Sequence, residues 1–261
     1  MNKILVPTDF SEHSNYAMEY ASFIANEKGG KLIILHIAKE LGGADLDKKI
    51  EEIKNYSFLS KVEYEIIIEE GHHVSTMINK VGIDQGIDLI VMGSNGISNV
   101  GEMLLGSNTE NVIRKSRFNV LTIKHKMLDL NIESILFPSN FAPETYSIFE
   151  TVMEFAKFFD AKIHLLRVNT SNHFEDTASV NEKMDMLIKH FNLDTEYKNY
   201  KKAIYDDKNE ELGIINYSID NSLDMIAIGS HGKSVLHKLI HESTSQNLVR
   251  DSFRPVLTIR F

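Results

Sequence analysis

Short, unbroken apolar runs recur along the chain, and the stretches between them carry their apolar residues at helical spacing. Lys3–Val6 predicts a short buried strand, and Ser11–Asn26 a helix packed on one face. Lys31–Ile37, after the Gly29-Gly30 turn, is a continuous apolar strand, and Asp45–Ser57 is a charged helix that faces water. Val62–Ile68 reads as a strand, Val74–Gln85 as a helix and Leu89–Met92 as a strand. A helix over Ser107–Lys115 leads to a last strand, Val120–Ile123. Strands that are apolar throughout, rather than alternating, belong to a parallel sheet covered on both faces. Right-handed crossovers then give a doubly wound α/β sandwich with predicted strand order 3-2-1-4-5.

The pattern occurs twice. "KILVPTDFS" (Lys3–Ser11) returns as "SILFPSNFA" (Ser134–Ala142), and "KLIILHIA" (Lys31–Ala38) as "KIHLLRVN" (Lys162–Asn169). "DLIVMGSNG" (Asp88–Gly96) returns as "DMIAIGSHG" (Asp224–Gly232), and "NVLTIK" (Asn119–Lys124) as "PVLTIR" (Pro255–Arg260). The first two pairs are offset by 131 positions and the last two by 136, so extra residues lie in the middle of the second copy. A period this long denotes duplicated domains, expected at 1–127 and 132–261, not a solenoid.

In this strand order the first and fourth strands lie side by side, and the chain leaves their carboxyl ends toward opposite faces. Open α/β sheets bind ligands in that crevice. "PTDFS" leaves the first strand there and "GSNG" the fourth. Gly93, Gly96 and Gly106 can take backbone angles closed to other residues and let N–H groups approach a ligand. Ser107 stands at the expected start of a helix, whose free N–H groups and dipole favour an anion. Each glycine alone could do no more than end a strand or cap a helix; the whole set at the switch point indicates phosphate binding.

Composition narrows the function. Lys and Arg number 28 against 37 Asp and Glu, a formal net charge of −9, which argues against a nucleic-acid footprint. The chain has no cysteine, so disulfides and thiolate metal sites are excluded. The opening has too few apolar residues for a signal-peptide core, and no run approaches the ~20 residues of a membrane span. The expectation is a cytoplasmic protein with no membrane contact.

Gly93-x2-Gly96-x9-Gly106-Ser107 resembles the G-2x-G-9x-G-[S/T] nucleotide motif of the universal stress proteins, and "ILVPTDFS", "LHIA" and "NVLTIK" resemble that family too. The resemblance covers essentially the whole chain as a tandem pair. It implies two flavodoxin-like (adenine nucleotide alpha hydrolase-like) domains and, as in a subset of the family, bound ATP or AMP, with Mg²⁺ left open. Carried over by motif, Asp9 would accept from the adenine amino group, with Pro7 and Thr8 beside it and Ile37 lining the base pocket. Met92, Gly93, Ser94, Asn95 and Gly96 would wrap the ribose and phosphates. Gly106, Ser107, Asn108 and Thr109 would offer donors to the phosphates. A plainer role for Asp9 is as an acid near a helix N-terminus, worth under ~1 kcal/mol.

The second copy departs from the motif. Gly229 and Gly232 remain, but Glu242 replaces the third glycine and Asn140 the aspartate. At ~4 Å and an effective dielectric of ~20, like charges repel by roughly 4 kcal/mol. The expectation is a second site without nucleoside triphosphate.

Other signals are weaker. "GSHGKS" (Gly229–Ser234) lacks the first P-loop glycine, since position 227 is alanine. His237 and His241 stand at i,i+4 spacing without an HExxH core, His72-His73 is a loop pair before a helix, and His231 sits where the family often has histidine. No metal site is predicted. No basic residue stands between Gly93 and Arg114 to clamp a transferring phosphate, so binding without efficient turnover is expected, with slow ATP hydrolysis as an alternative. A nucleotide-free scaffold is another. Single-domain members of the family commonly dimerise through the last strand, so 119–124 and 255–260 are expected to pair internally. An unknown protein partner and a further homodimer stay open.

Overall fold

Ile4, Leu5 and Val6 are each at most 1% exposed, so this strand is covered on both faces. It forms β1 (Lys3–Thr8), the centre of the first of two units in a computed structural model; the units are Met1–Leu130 and Asn131–Phe261. The described residues are 2–94, 107–127, 129–230 and 252–260. The chain continues through α1 (Glu12–Lys28), β2 (Lys31–Ala38), α2 (Ala44–Lys54), β3 (Glu63–Glu70), α3 (Val74–Gln85), β4 (Leu89–Gly93), α4 (Ser107–Lys115) and β5 (Asn119–Ile123). The first unit's sheet is parallel throughout, in the order β3-β2-β1-β4-β5.

The local causes are plain in the sequence. Ser11 caps α1 by accepting from the Ser14 N–H at 3.3 Å, and Gly29, at φ 62, ends it in the left-handed conformation. Between the caps, Ala17, Met18, Tyr20, Ala21, Ile24 and Ala25 face the sheet and are fully buried. The helix expected over Asp45–Ser57 stops at Lys54. The chain then makes a 3-10 turn, Ser57–Lys61, because Leu59 is drawn into the core (2% exposed).

The second unit repeats the plan with β6 (Ser134–Pro138), α5 (Tyr146–Phe159), β7 (Lys162–Asn169), α6 (Thr177–His190) and α7 (Leu193–Glu196). It ends with β8 (Tyr200–Asp206), α8 (Glu210–Asp220), β9 (Met225–Ser230) and β10 (Val256–Arg260). Its own order is β8-β7-β6-β9-β10, again all parallel. The same acid ties the sheet at its amino end in both units. Asp88 accepts from the Lys3 N–H at 3.0 Å, and Asp224 from the Glu133 N–H at 3.1 Å and the Ser134 hydroxyl at 2.8 Å. The extra residues of the second copy fall between β7 and β8. Among the described residues no helix is long and apolar enough to cross a membrane.

The corner from β1 into α1 is built from hydroxyls. Phe10 N–H donates to Thr8 Oγ1 at 3.0 Å, and the Ser14 hydroxyl donates to Ser11 O at 2.8 Å. The Ser14 proton is thereby engaged, so the 3.0 Å contact between Thr8 and Ser14 has the threonine as donor. The second unit repeats the relay with the two residue types exchanged. Phe141 N–H donates to Ser139 Oγ at 2.9 Å, Ser139 to Thr145 Oγ1 at 3.3 Å, and Thr145 to Ala142 O at 2.8 Å.

Gly93 closes the other side of this corner. A Cβ there would lie 2.5 Å from His13 C, 2.6 Å from His13 O and 2.8 Å from Ser14 N, all backbone atoms of α1. The sequence reading gives Gly93 a ligand-approach role; the structure adds that the first turn of α1 leaves no room for a side chain. Gly93→Ala should therefore destabilise the first unit by roughly 1–3 kcal/mol, read as a lower urea midpoint with unchanged slope.

His164 on β7 occupies the position held by Ile33 on β2, is 7% exposed and hydrogen-bonds Tyr217 Oη at 3.1 Å. Burial, with help from Lys201 and Lys162, pushes its pKa down from 6.5 to about 4. The unfolded chain takes up the proton first. The stability this neutral imidazole permits is present above pH ~6.5 and is lost as pH falls toward ~4, by up to about 3 kcal/mol. The double variant His164→Ile/Tyr217→Phe, which leaves no orphaned hydroxyl, should remove that acid-dependent loss in urea unfolding at pH 7 and pH 4.5.

Candidate functional site

At the carboxyl ends of β1, β2 and β4 the first unit has a cleft of about 260 Å³. Its walls come from the β1–α1 corner (Pro7, Thr8, Asp9, Ser11, Ser14), the end of β2 (Leu35, His36, Ile37), Val74 of α3, Met92 and Gly93 of β4, and Asn108 and Thr109 of α4. The cleft lies where β1 and β4 are neighbours and the chain leaves them toward opposite faces, the position open α/β sheets use for ligands.

Asp9 is exposed at the rim, and its Oδ1 accepts from the Ser11 N–H at 3.0 Å. Burial pushes its carboxyl up, but hydrogen bonds from Ser11 and Ser14 outweigh this and hold it below the usual carboxylate range. It is therefore an ionised acceptor at neutral pH. Asn140 makes the same turn in the second unit, accepting from the Ala142 N–H at 3.0 Å. The turn needs only an oxygen at this position; the charge at Asp9 is an addition.

His36 is held by the carboxyl end of the neighbouring strand, β1. Its Nδ1 lies 2.8 Å from Thr8 O, and a carbonyl only accepts, so Nδ1 carries the proton and Nε2 is left as an acceptor in the neutral ring. Phe10 packs on this imidazole with ring centroids 4.3 Å apart, and Lys49 of α2 stands 5.5 Å from the centre of the Phe10 ring. Ile37, the next residue, is half-buried and faces the cleft.

Across the cleft, beside the carboxyl end of β4, α4 begins at Ser107, and its first N–H groups have no partners within the helix. The Thr109 hydroxyl donates to Gly93 O at 3.2 Å, which joins the helix start to β4. The Thr109 hydroxyl proton is thereby engaged within the protein.

Of the residues expected from sequence, Pro7, Thr8, Asp9, Ile37, Met92, Gly93, Asn108 and Thr109 converge on this cleft. Ser94 does not line it: the residue is 1% exposed and its N–H donates to Ile123 O at 3.0 Å, continuing the pairing of β4 with β5. Asn95, Gly96 and Gly106 lie outside the described residues, as do Gly232, His231, His237, His241 and Glu242 of the second unit. Ser107 is described only as the first residue of α4. Ser11, Ser14, Leu35, His36 and Val74 also line the cleft and were not in the sequence-based set. Ser11, Leu35 and His36 stand within the quoted strings "ILVPTDFS" and "LHIA", a signal that could have found them. Among the described residues, no group of three or more His, Asp or Glu is placed to hold a metal ion.

The model of the "Universal stress protein family" matches residues 1–124 and again 131–260. The chain is similar to universal stress protein MJ0577 of Methanocaldococcus jannaschii, 35% identical over 48% of this chain and 95% of the relative. It is also similar to universal stress protein Slr1230 of Synechocystis, 22% identical over the full length of both. Among solved structures, a universal stress protein from Archaeoglobus fulgidus has the same fold, with a TM-score of 0.76 over 99% of this chain and 98% of that one at 21% identity. With the family's model matching both halves and the doubly wound sheet present in each, the chain belongs to the universal stress protein family as a tandem member.

Proposed function

We propose that the cleft of the first unit binds one adenine nucleotide, ATP or AMP, and that the protein is a nucleotide-responsive regulator in the stress response. The observation that carries this is the pairing, in one cleft, of an ionised carboxylate with the start of a helix. Asp9 suits a base that presents an amino group, and the first N–H groups of α4, at the positive end of its dipole, suit an anion. Leu35, Ile37, Val74 and Met92 supply apolar wall for the flat base.

Family membership supports a nucleotide ligand in general terms, and the choice between ATP and AMP belongs to the proposal. When bound, a triphosphate would supply charge that helix N–H groups neutralise, with Mg²⁺ as a companion of the phosphates. No Lys or Arg is among the described residues that line the cleft, which favours retention of the nucleotide over rapid transfer of its terminal phosphate. In the same reading, the second unit acts as a partner for the first through segments 119–124 and 255–260, in a cytoplasmic protein, with an unidentified protein as the receiver of the signal.

One observation favours a second reading, a scaffold without nucleotide. The hydroxyl corner is built alike in both units, so its presence at Asp9 is not by itself a sign of ligand. Counting nucleotide separates the two. Denaturing the purified protein, or titrating it with ATP, should give about one adenine nucleotide per chain, lost in Gly106→Glu, which copies Glu242 of the second repeat. No binding at millimolar ATP would leave the scaffold.

Asp9→Asn should keep the fold, since Asn140 already makes this turn, but should weaken nucleotide binding about tenfold by replacing a charged acceptor with a neutral one. Calorimetric titration checks it, and an unchanged affinity would remove Asp9 from the site.

A further inference from the structure

The two units differ at the carboxyl end of one strand. Arg167, Val168 and Asn169 at the end of β7 stand where His36, Ile37 and Ala38 stand at the end of β2. Ile37 is half-buried and lines the first cleft, whereas Val168 is 4% exposed. Two features mark the end of β7, one that covers Val168 and one that is held by its neighbours Arg167 and Asn169.

The first is a helix that sits directly on it. A Cβ added to Gly213 of α8 would come within 2.5 Å of Val168 Cγ1 and 3.1 Å of Asp207 Cβ. In the first unit the sizes are exchanged. Met77 stands at the helix position and Gly71 at the loop position, where a Cβ would meet Met77 Cγ at 3.1 Å. The missing side chain at Gly213 lets the α8 backbone settle onto Val168, which Met77 in the equivalent helix does not permit.

The second is the segment 170–176, which doubles back onto the end of β7. Asn169 holds it twice: its Nδ2 donates to Glu175 O at 3.1 Å, and its Oδ1 accepts from the Glu175 N–H at 3.2 Å. Arg167 Nη2 lies 3.8 Å from Glu175 Oε2 and donates to His173 O at 3.4 Å, and Lys183 of α6 meets the other Glu175 oxygen. Asp176 then caps α6 by accepting from Ala178 and Ser179 N–H groups at 3.1 and 3.0 Å. The Arg167 and Glu175 side chains are only 12% and 20% exposed, so solvent screens their attraction weakly. This is also where the second copy has its extra residues: β7 and β8 are joined by 170–199, and β2 and β3 by the shorter 39–62.

We infer that the second unit closes its own cleft at the β7 end, with α8 lying on Val168 and segment 170–176 latched through Glu175, so that the chain's capacity is limited to one ligand. The residues of this closure all lie outside the altered glycine stretch that contains Glu242, so restoring glycine at 242 alone is expected to leave the second cleft closed. Only the identity of the ligand excluded rests on the nucleotide reading of the first unit.

The natural chain has no cysteine, so single-cysteine variants of the full-length protein report access directly. Ile37→Cys and Val168→Cys are each treated with a water-soluble aromatic disulfide and the rate of thiol reaction is measured. Position 168 should react about 100-fold more slowly than position 37. Asn169→Ala should raise the rate at 168 at least about tenfold, and leave the rate at 37 unchanged. Glu175→Gln, which keeps the backbone bonds to Asn169 and weakens the ion pairs, should raise it less. Equal rates at 37 and 168 would overturn the closure. An unchanged rate at 168 in Glu175→Gln and in folded Asn169→Ala would overturn the latch. Protection of position 37 by added ATP reads the first cleft separately: its failure would sink the nucleotide assignment and leave the comparison of 37 with 168 intact.

Discussion

The first turn of α1 meets the end of β4 backbone to backbone, and no side chain fits between them at Gly93. That contact fixes where the helix starts, and so where the Thr8–Ser14 hydroxyl pair can form and where Asp9 emerges. The cleft is the space left over when a helix is pulled this close to one strand end while α4 begins beside it. Thr109 reinforces the same junction by donating to Gly93 O. Residues that look like ligand contacts are thus also the fasteners of the corner, and their geometry is set before any ligand arrives.

Much of this was legible from local pattern. Buried parallel strands are apolar throughout, so β1, β2 and β4 stand out, and helices α3 and α4 begin and end at the residues their periodicity marks. The repeat gave the tandem plan directly. The failures have a common cause, which is that they depend on partners far away in sequence. His36 is positioned by Thr8 O on the neighbouring strand, and Leu59 ends the charged helix early by entering the core. Sequence supplied one reason for Gly93 and could not supply the other, because the atoms it must avoid belong to His13 and Ser14. Nor does Thr109 announce that its hydroxyl is already engaged.

Comparison of the two copies separates what the fold requires from what a ligand requires. The hydroxyl relay survives an exchange of threonine and serine, because either residue supplies one donor and an acceptor in the same place. The turn at Asp9 survives replacement by Asn140 for a similar reason. Change accumulates instead at the end of β7, where Gly71 and Met77 give way to Asp207 and Gly213 and a longer connection folds over the strand. Small and large residues have traded sides across one helix–loop contact, and a half-buried residue has become a covered one.

One trait at the corner is shared in spite of its strain. Phe10 and Phe141 both hold left-handed backbone, at φ 64 and 57, a region that bulky side chains rarely occupy. Phe10 rests on His36, and Phe141 is enclosed with Phe137, so each ring has neighbours that keep it there. Two halves with different cleft ends are most simply given the same unfavourable corner by inheritance from one ancestor. On that chronology the bent aromatic corner is older than the duplication, and the difference between the two strand ends arose after it.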